Sequence, residues 1–159
     1  MVGGPAAGKT ALIQRHQTGV FLKQHRPSAS PDFSLVHWDE GTQVHLWDVP
    51  SAESATGRTP IWYEGARGFL VVADVSQSVN AAADWLTDVR KRMPATVPVV
   101  LLLNKRDLAG GTASARAAVE HFARSEGVAA FFETSALEGI GFAEALKHLV
   151  GLMKKKPEK

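Results

Sequence analysis

The sequence predicts an α/β protein of 159 residues built on a doubly wound, mostly parallel sheet. Three observations carry this. Gly3-Gly4-Pro5-Ala6-Ala7-Gly8-Lys9-Thr10 matches G-x-x-x-x-G-K-[ST] and leads into a helix. Residues 68–75 (GFLVVADV) and 97–103 (VPVVLLL) are almost continuously apolar, the mark of strands covered on both faces. Amphipathic helical segments alternate with the strand-like runs, as crossovers between parallel strands require.

Only Met1 and Val2 precede the glycine loop, whereas such a loop normally follows a central strand of several residues. The expectation is a first strand that is truncated or reduced to a stub. Residues 9–18 form a helix carrying Ala11, Leu12 and Ile13, and Gly19 stands where a left-handed C-cap belongs. Residues 20–31, polar and broken by Pro27 and Pro31, read as a long loop, a length that in compact domains marks function. Residues 32–39 and 42–48 are strands joined at Glu40-Gly41 as a hairpin, with Asp48 at the end of the second. Residues 50–60 are irregular. Between the two apolar runs, residues 81–93 place Trp85, Val89 and Met93 at helical spacing. A helix over 114–125, a short strand over 129–133 and a helix over 141–155, with Phe142, Leu146, Leu149, Val150 and Met153 on one face, complete the chain as one domain.

Composition narrows the functional classes. The formal net charge is +2, with Lys154, Lys155 and Lys156 gathered at the C-terminus, so no basic stripe for a nucleic-acid partner is expected. There are no cysteines, which removes disulfides, thiolate metal sites and thiol nucleophiles and makes the cytoplasm the default location. No apolar run has the length of a membrane span. The six histidines are scattered and read as solvated side chains rather than metal ligands. Trp38 and Trp47 pack in the sheet or at its rim, or form an exposed binding triad with Trp62.

The glycine loop is the first candidate site. Backbone N–H groups around Gly8, with the positive end of the following helix, form a concave anion site suited to phosphate. The phosphate set is Gly3, Ala6, Ala7, Gly8, Lys9 and Thr10, with Lys9 reaching the terminal phosphates and the Thr10 hydroxyl ligating magnesium. Asp48, leaving a strand, anchors the same ion. Asn104-Lys105-Arg106-Asp107 directly follows the second apolar strand. A carboxylate at Asp107 accepts from the ring N–H and exocyclic amine of guanine, a donor pair adenine lacks. Asn104 and the stem of Lys105 flank the base. In Glu133-Thr134-Ser135-Ala136-Leu137, the Ala136 N–H is placed to donate to the guanine oxygen, with Ser135 and Leu137 beside it.

These motifs, in this order, resemble those of a small GTPase of the Ras superfamily with the P-loop NTPase fold, and within it a Rab. Asp32-Phe33, Leu46-Trp47-Asp48 and Trp62-Tyr63-Glu64-Gly65-Ala66 carry the Rab likeness, and residues 21–33 with Trp38-Asp39 are similar to the Rab subgroup of lysosome-related organelles. The resemblance implies GTP or GDP with magnesium as ligands. It implies Phe21 edge-on against guanine and Ser28 as the hydroxyl that joins Thr10 and Asp48 at the metal and senses the γ-phosphate. It also implies effector proteins, an exchange factor and a GTPase-activating protein as partners, and a cytoplasmic location peripheral to endomembranes.

Several residues depart from the family pattern. Asp48-Val49-Pro50-Ser51-Ala52-Glu53 stands where the family has DTAGQE. Ala52 replaces the glutamine that orients water, so no catalytic residue is intact and intrinsic hydrolysis is expected to be slow or absent. Ser51 keeps the N–H that meets the γ-phosphate but loses the glycine pivot. Pro5 has no N–H to donate, and Ala6 sits where a side chain crowds the phosphates or takes a φ that alanine disfavours. Ala29-Ser30-Pro31 and Ala55 change the usual effector surface. Rabs are held on membranes by prenylated tail cysteines, and this chain carries none. The second reading is a non-cycling, nucleotide-bound scaffold.

Overall fold

The computed structural model describes residues 1–23, 30–51, 61–76, 82–108 and 113–155. The elements run β1 (Val2–Gly3), α1 (Lys9–Thr18), β2 (Asp32–Asp39), β3 (Thr42–Asp48), β4 (Phe69–Asp74), α2 (Ala83–Arg92), β5 (Val99–Asn104), α3 (Ala113–Ser125), β6 (Ala130–Glu133) and α4 (Phe142–Lys154). Helix and strand boundaries fall within about two residues of the sequence expectation, since each element is bounded by its own signal. Gly19, for example, ends α1 at φ 71° and donates its N–H to the Arg15 carbonyl.

β1, β4, β5 and β6 form a parallel sheet in that order. Alternation along β4 divides its side chains between two cores. Leu70 and Val72 join Leu12, Ile13, Leu146 and Leu149 on the face of α1 and α4. Phe69, Val71 and Ala73 join Trp85, Leu86 and Val89 on the face of α2. Every residue of β4 and β5 is buried, which is why their sequences show no polar alternation. Burial of each such aliphatic side chain contributes roughly 1.5–3 kcal/mol before conformational entropy is counted.

The hairpin is a sheet of its own. β2 and β3 pair with each other, and among the described residues backbone bonds join β3 to the β1 segment at Met1, just before β1. There the terminal ammonium donates to the Trp47 carbonyl at 2.5 Å and the Val49 N–H donates to the Met1 carbonyl at 3.1 Å. Here β1 consists of Val2 and Gly3 and pairs with β4 alone. One residue of parallel pairing joins the hairpin to the main sheet. Lys154 Nζ at the end of α4 adds an exposed ion pair to Asp39 at 2.7 Å.

The tryptophans separate by strand parity. Trp47 lies opposite Phe33 and packs against it at 5.1 Å and against Trp62 at 5.5 Å, on the outer face of the hairpin. Trp38 is on the inner face, packed on the core shared by α1 and α4. The three tryptophans thus do not form a triad; Phe33 takes the place expected for Trp38. Beneath Trp62, Tyr63 is buried edge-on against Phe69 and donates its hydroxyl to Asp88 at 3.2 Å. Burial first, and then Asp88, push the Tyr63 phenol well above its ordinary pKa.

Candidate functional site

β1, β3, β4 and β5 all release the chain at one end of the molecule, and the residues picked out from sequence gather there. Gly3, at φ 152°, crosses so close to the Val72 carbonyl that a Cβ would collide with it. Gly4 to Ala7 close as a turn through the Ala7 N–H to the Gly4 carbonyl at 3.3 Å, with Pro5 second. Ala6 takes φ 56°, the positive value that the third residue of a type II turn demands. The strain foreseen at this alanine is present in the backbone. Gly8, at φ 92°, is the N-cap of α1, and a Cβ there would strike the Asn104 side-chain amide.

Lys9 is buried, and its Nζ donates to the carbonyls of Gly3 at 3.0 Å and Gly4 at 3.2 Å. Burial lowers its pKa, opposed by the nearby Asp48 carboxylate. Thr10 donates its hydroxyl to Asp48 Oδ2. The other oxygen, Asp48 Oδ1, is buried without a hydrogen-bond partner among the described residues. An unsatisfied buried carboxylate oxygen is costly, and a hard cation beside Thr10 would relieve it. These donors fit magnesium. Magnesium commonly takes one or two protein oxygens and fills its remaining positions with phosphate and water, which suits a site offering Thr10 and Asp48.

The second half of the site is tied to the first. Asn104, buried at the end of β5, donates its amide to the Ala7 carbonyl at 2.8 Å. Its Oδ1 accepts from Thr134 Oγ1 and from the Ala136 N–H, each at 3.3 Å. One side chain therefore links the glycine loop, the end of β5 and the turn after β6. The Ala136 N–H, expected to face guanine oxygen, donates here to Asn104 instead. Lys105 adopts φ 66° and pairs through Nζ with Asp74 Oδ2 at 2.6 Å. Burial raises the Asp74 carboxyl, but Lys105 and two bonds from Ser76 outweigh it and hold the pKa below the ordinary value. Asp107 is exposed and accepts from Ser135 Oγ at 2.5 Å, while Ser135 is fully buried.

Of the remaining predicted residues, Leu137 is 47% exposed beside Ala136. Phe21 is partly buried against the core of α1 and α4, and Ser51 is partly buried after β3. Ser28 and Ala52 lie outside the described residues, as do Ala29 and Ala55 of the expected effector surface and Lys156 of the basic tail. Asp74 was missed by sequence reasoning. The available signal was its position at the end of the first apolar strand, which the register sets opposite Asn104.

The profile of the Ras family matches residues 1–155, and the chain belongs to that family. It is similar to the human Ras-related protein Rab-32, 32% identical over 160 residues that cover 94% of this chain and 71% of the relative. It is also similar to Rab-32A of Dictyostelium discoideum (31% identical; 94% and 74% covered). A third relative is Rab-7L1 of Rattus norvegicus (30% identical; 96% and 79% covered). It is thus a Rab-like small GTPase of the Ras superfamily. No helix among the described residues is long and apolar enough to cross a membrane.

Proposed function

We propose that the chain is a guanine-nucleotide switch of intracellular membrane traffic that binds GTP and GDP with magnesium and hydrolyses GTP slowly or not at all. The observation that carries the reading is the Asn104 bridge. It fixes the phosphate loop to the segment bearing Asp107, as recognition of one ligand by its phosphates and its base requires. In this reading Gly3, Ala6, Ala7, Gly8 and Lys9 surround the phosphates, with Ser28 and Ser51 closing on the γ-phosphate. Thr10, Ser28 and Asp48 hold the metal. Phe21, Asn104, Lys105, Asp107, Ser135, Ala136 and Leu137 hold the base.

Binding guanine then requires two exchanges. The Ser135 hydroxyl yields part of the Asp107 carboxylate to the base, and Lys9 leaves the Gly3 and Gly4 carbonyls for phosphate oxygen. Both exchange a hydrogen bond within the chain for a charge-assisted one to ligand. With Ala52 at the glutamine position, no side chain there orients the attacking water, and hydrolysis depends on a partner. Effectors, an exchange factor and a GTPase-activating protein are the expected partners, and the Phe33, Trp47 and Trp62 face is the apolar surface offered to them.

Competition binding tests the base site. GTP should displace a labelled guanine nucleotide while ATP and xanthosine triphosphate do not, and Asp107→Ala should cut the preference for guanine about 100-fold or more. Equal binding of GTP and xanthosine triphosphate by the unmodified protein would remove Asp107 from the site. The intact base motif beside the altered second switch also favours a second reading, a non-cycling scaffold whose bound nucleotide contributes stability rather than signalling.

A further inference from the structure

Two lysines serve the nucleotide site, and they are held in different ways. Lys9 donates to the carbonyls of Gly3 and Gly4, which are neutral, so a charged phosphate oxygen is the better acceptor and draws it away. Lys105 donates to Asp74 Oδ2 at 2.6 Å, and the Asp74 side chain, at the end of β4, is only 5% exposed. Withdrawing the lysine would leave a buried carboxylate without its counter-charge, among the costlier changes a folded chain can make. Lys105 therefore stays on Asp74 when ligand arrives.

Both partners of this pair are themselves fixed. Asp74 Oδ1 accepts from the Ser76 N–H at 2.9 Å and from Ser76 Oγ at 2.6 Å. The Val75 N–H donates to the Asn104 carbonyl at 2.9 Å, which carries the pairing of β4 with β5 one step past the strand ends. Lys105 takes φ 66°, a left-handed value that a lysine holds only where its surroundings enforce it. The neighbouring peptides do so: the Arg106 N–H donates to the Thr134 carbonyl at 3.1 Å, and the Lys105 carbonyl accepts from the Leu108 N–H at 2.8 Å. The turn fixes the Cα of Lys105 and Asp74 fixes its Nζ, so the aliphatic stem between them is held at both ends. A free lysine stem instead samples many rotamers.

We infer that Asp74 is a positioning residue for the nucleotide: by holding Lys105 Nζ it keeps the lysine stem as a preformed apolar face against the base, and so lengthens the time the nucleotide stays bound. The inference rests on the reading of Asn104 to Asp107 as the base site. Asp74 acts through Lys105, while the choice of base stays with Asp107. A stem that is already ordered loses no rotamer freedom when the base settles on it, and a gain of this kind shows mainly in the rate of release.

The test is a double-mutant cycle on the release of fluorescently labelled GDP, with magnesium present and excess unlabelled GDP as the chase. Asp74→Asn keeps an oxygen for Ser76 and turns an amide donor toward Lys105, so the strand end is preserved and the ion pair is lost. Lys105→Met keeps an apolar stem without the ammonium. Asp74→Asn should speed release about tenfold in the unmodified chain and by less than about twofold in the Lys105→Met background, with the preference for GTP over xanthosine triphosphate unchanged. Ser76→Ala removes one bond to Asp74 Oδ1 and no charge; it should speed release about threefold and also lose its effect in the Lys105→Met background. If Asp74→Asn does not fold, the Ser76→Ala cycle decides alone. Equal acceleration in both backgrounds would overturn the inference, because Asp74 would then act through the strand ends rather than through Lys105. Unchanged release would overturn it too, as would an altered base preference, which would put Asp74 at the base itself. An unmodified chain that binds no labelled GDP would instead remove the base-site reading, and this inference with it.

Discussion

Ala6 is a non-glycine residue held at φ 56° in the turn that shapes the phosphate loop. L-residues lose about 1–2 kcal/mol in that region, and glycine gives back part of the difference through its freedom in the unfolded chain. Ala6→Gly should therefore stabilise the protein by about 0.5–1 kcal/mol and tighten nucleotide binding; urea unfolding with and without GDP reads both. A destabilised Ala6→Gly variant would mean that the surroundings, not the turn, hold Ala6 in place. At the other chemical position, Ala52→Gln restores a side chain able to orient water, and single-turnover GTP hydrolysis should rise about tenfold or more. An unchanged rate would transfer the defect to Ser51 or to the stiff Pro5-Ala6 turn.

At the scale of elements, the buried amine of Met1 makes stability depend on pH when it is the free terminus. Burial, reinforced by Lys9 and opposed by Asp48, lowers the Met1 amine from 8.0 to about 5. Between those values the unfolded chain binds a proton that the folded chain does not, so stability rises with pH from about 5 to 8. The lowering corresponds to roughly 4 kcal/mol, lost progressively as pH falls. Urea midpoints should climb across this window for the free amine and stay flatter for an Nα-acetylated chain. Matching slopes for the two forms would take the amine out of the account. The elements themselves were legible because each carries a local signal: continuous apolar runs for β4 and β5, Glu40-Gly41 for the hairpin, Gly19 for the end of α1. Non-local facts were not. The separation of the hairpin from the main sheet depends on how many residues of β1 face β3. The removal of Trp38 from the aromatic face depends on the hairpin register, and the Lys105–Asp74 pair depends on two strands being neighbours.

For the whole molecule, the phosphate, metal and base motifs were readable in the sequence and so was their common ligand, but the contacts that tie them together were not. Those contacts centre on Asn104, whose bonds to Ala7, Thr134 and Ala136 cross three segments. A site tied together in this way, with Asp48 Oδ1 unsatisfied and Lys9 turned onto its own loop, gains more from ligand than its separate parts suggest. By linkage, nucleotide and magnesium at about 100 times Kd add about 2.7 kcal/mol of stability, so stripping both should lower Tm visibly, and returning GDP with magnesium should restore it. The most direct test of the switch is to extract the purified protein, identify and count its nucleotide by chromatography, exchange it for labelled GTP, and follow one turnover. We predict one guanine nucleotide per chain, exchangeable in both directions, with hydrolysis slow on the exchange timescale. An empty site, or GDP that never leaves, would contradict the switch and establish a protein that keeps the fold of its family without the cycle.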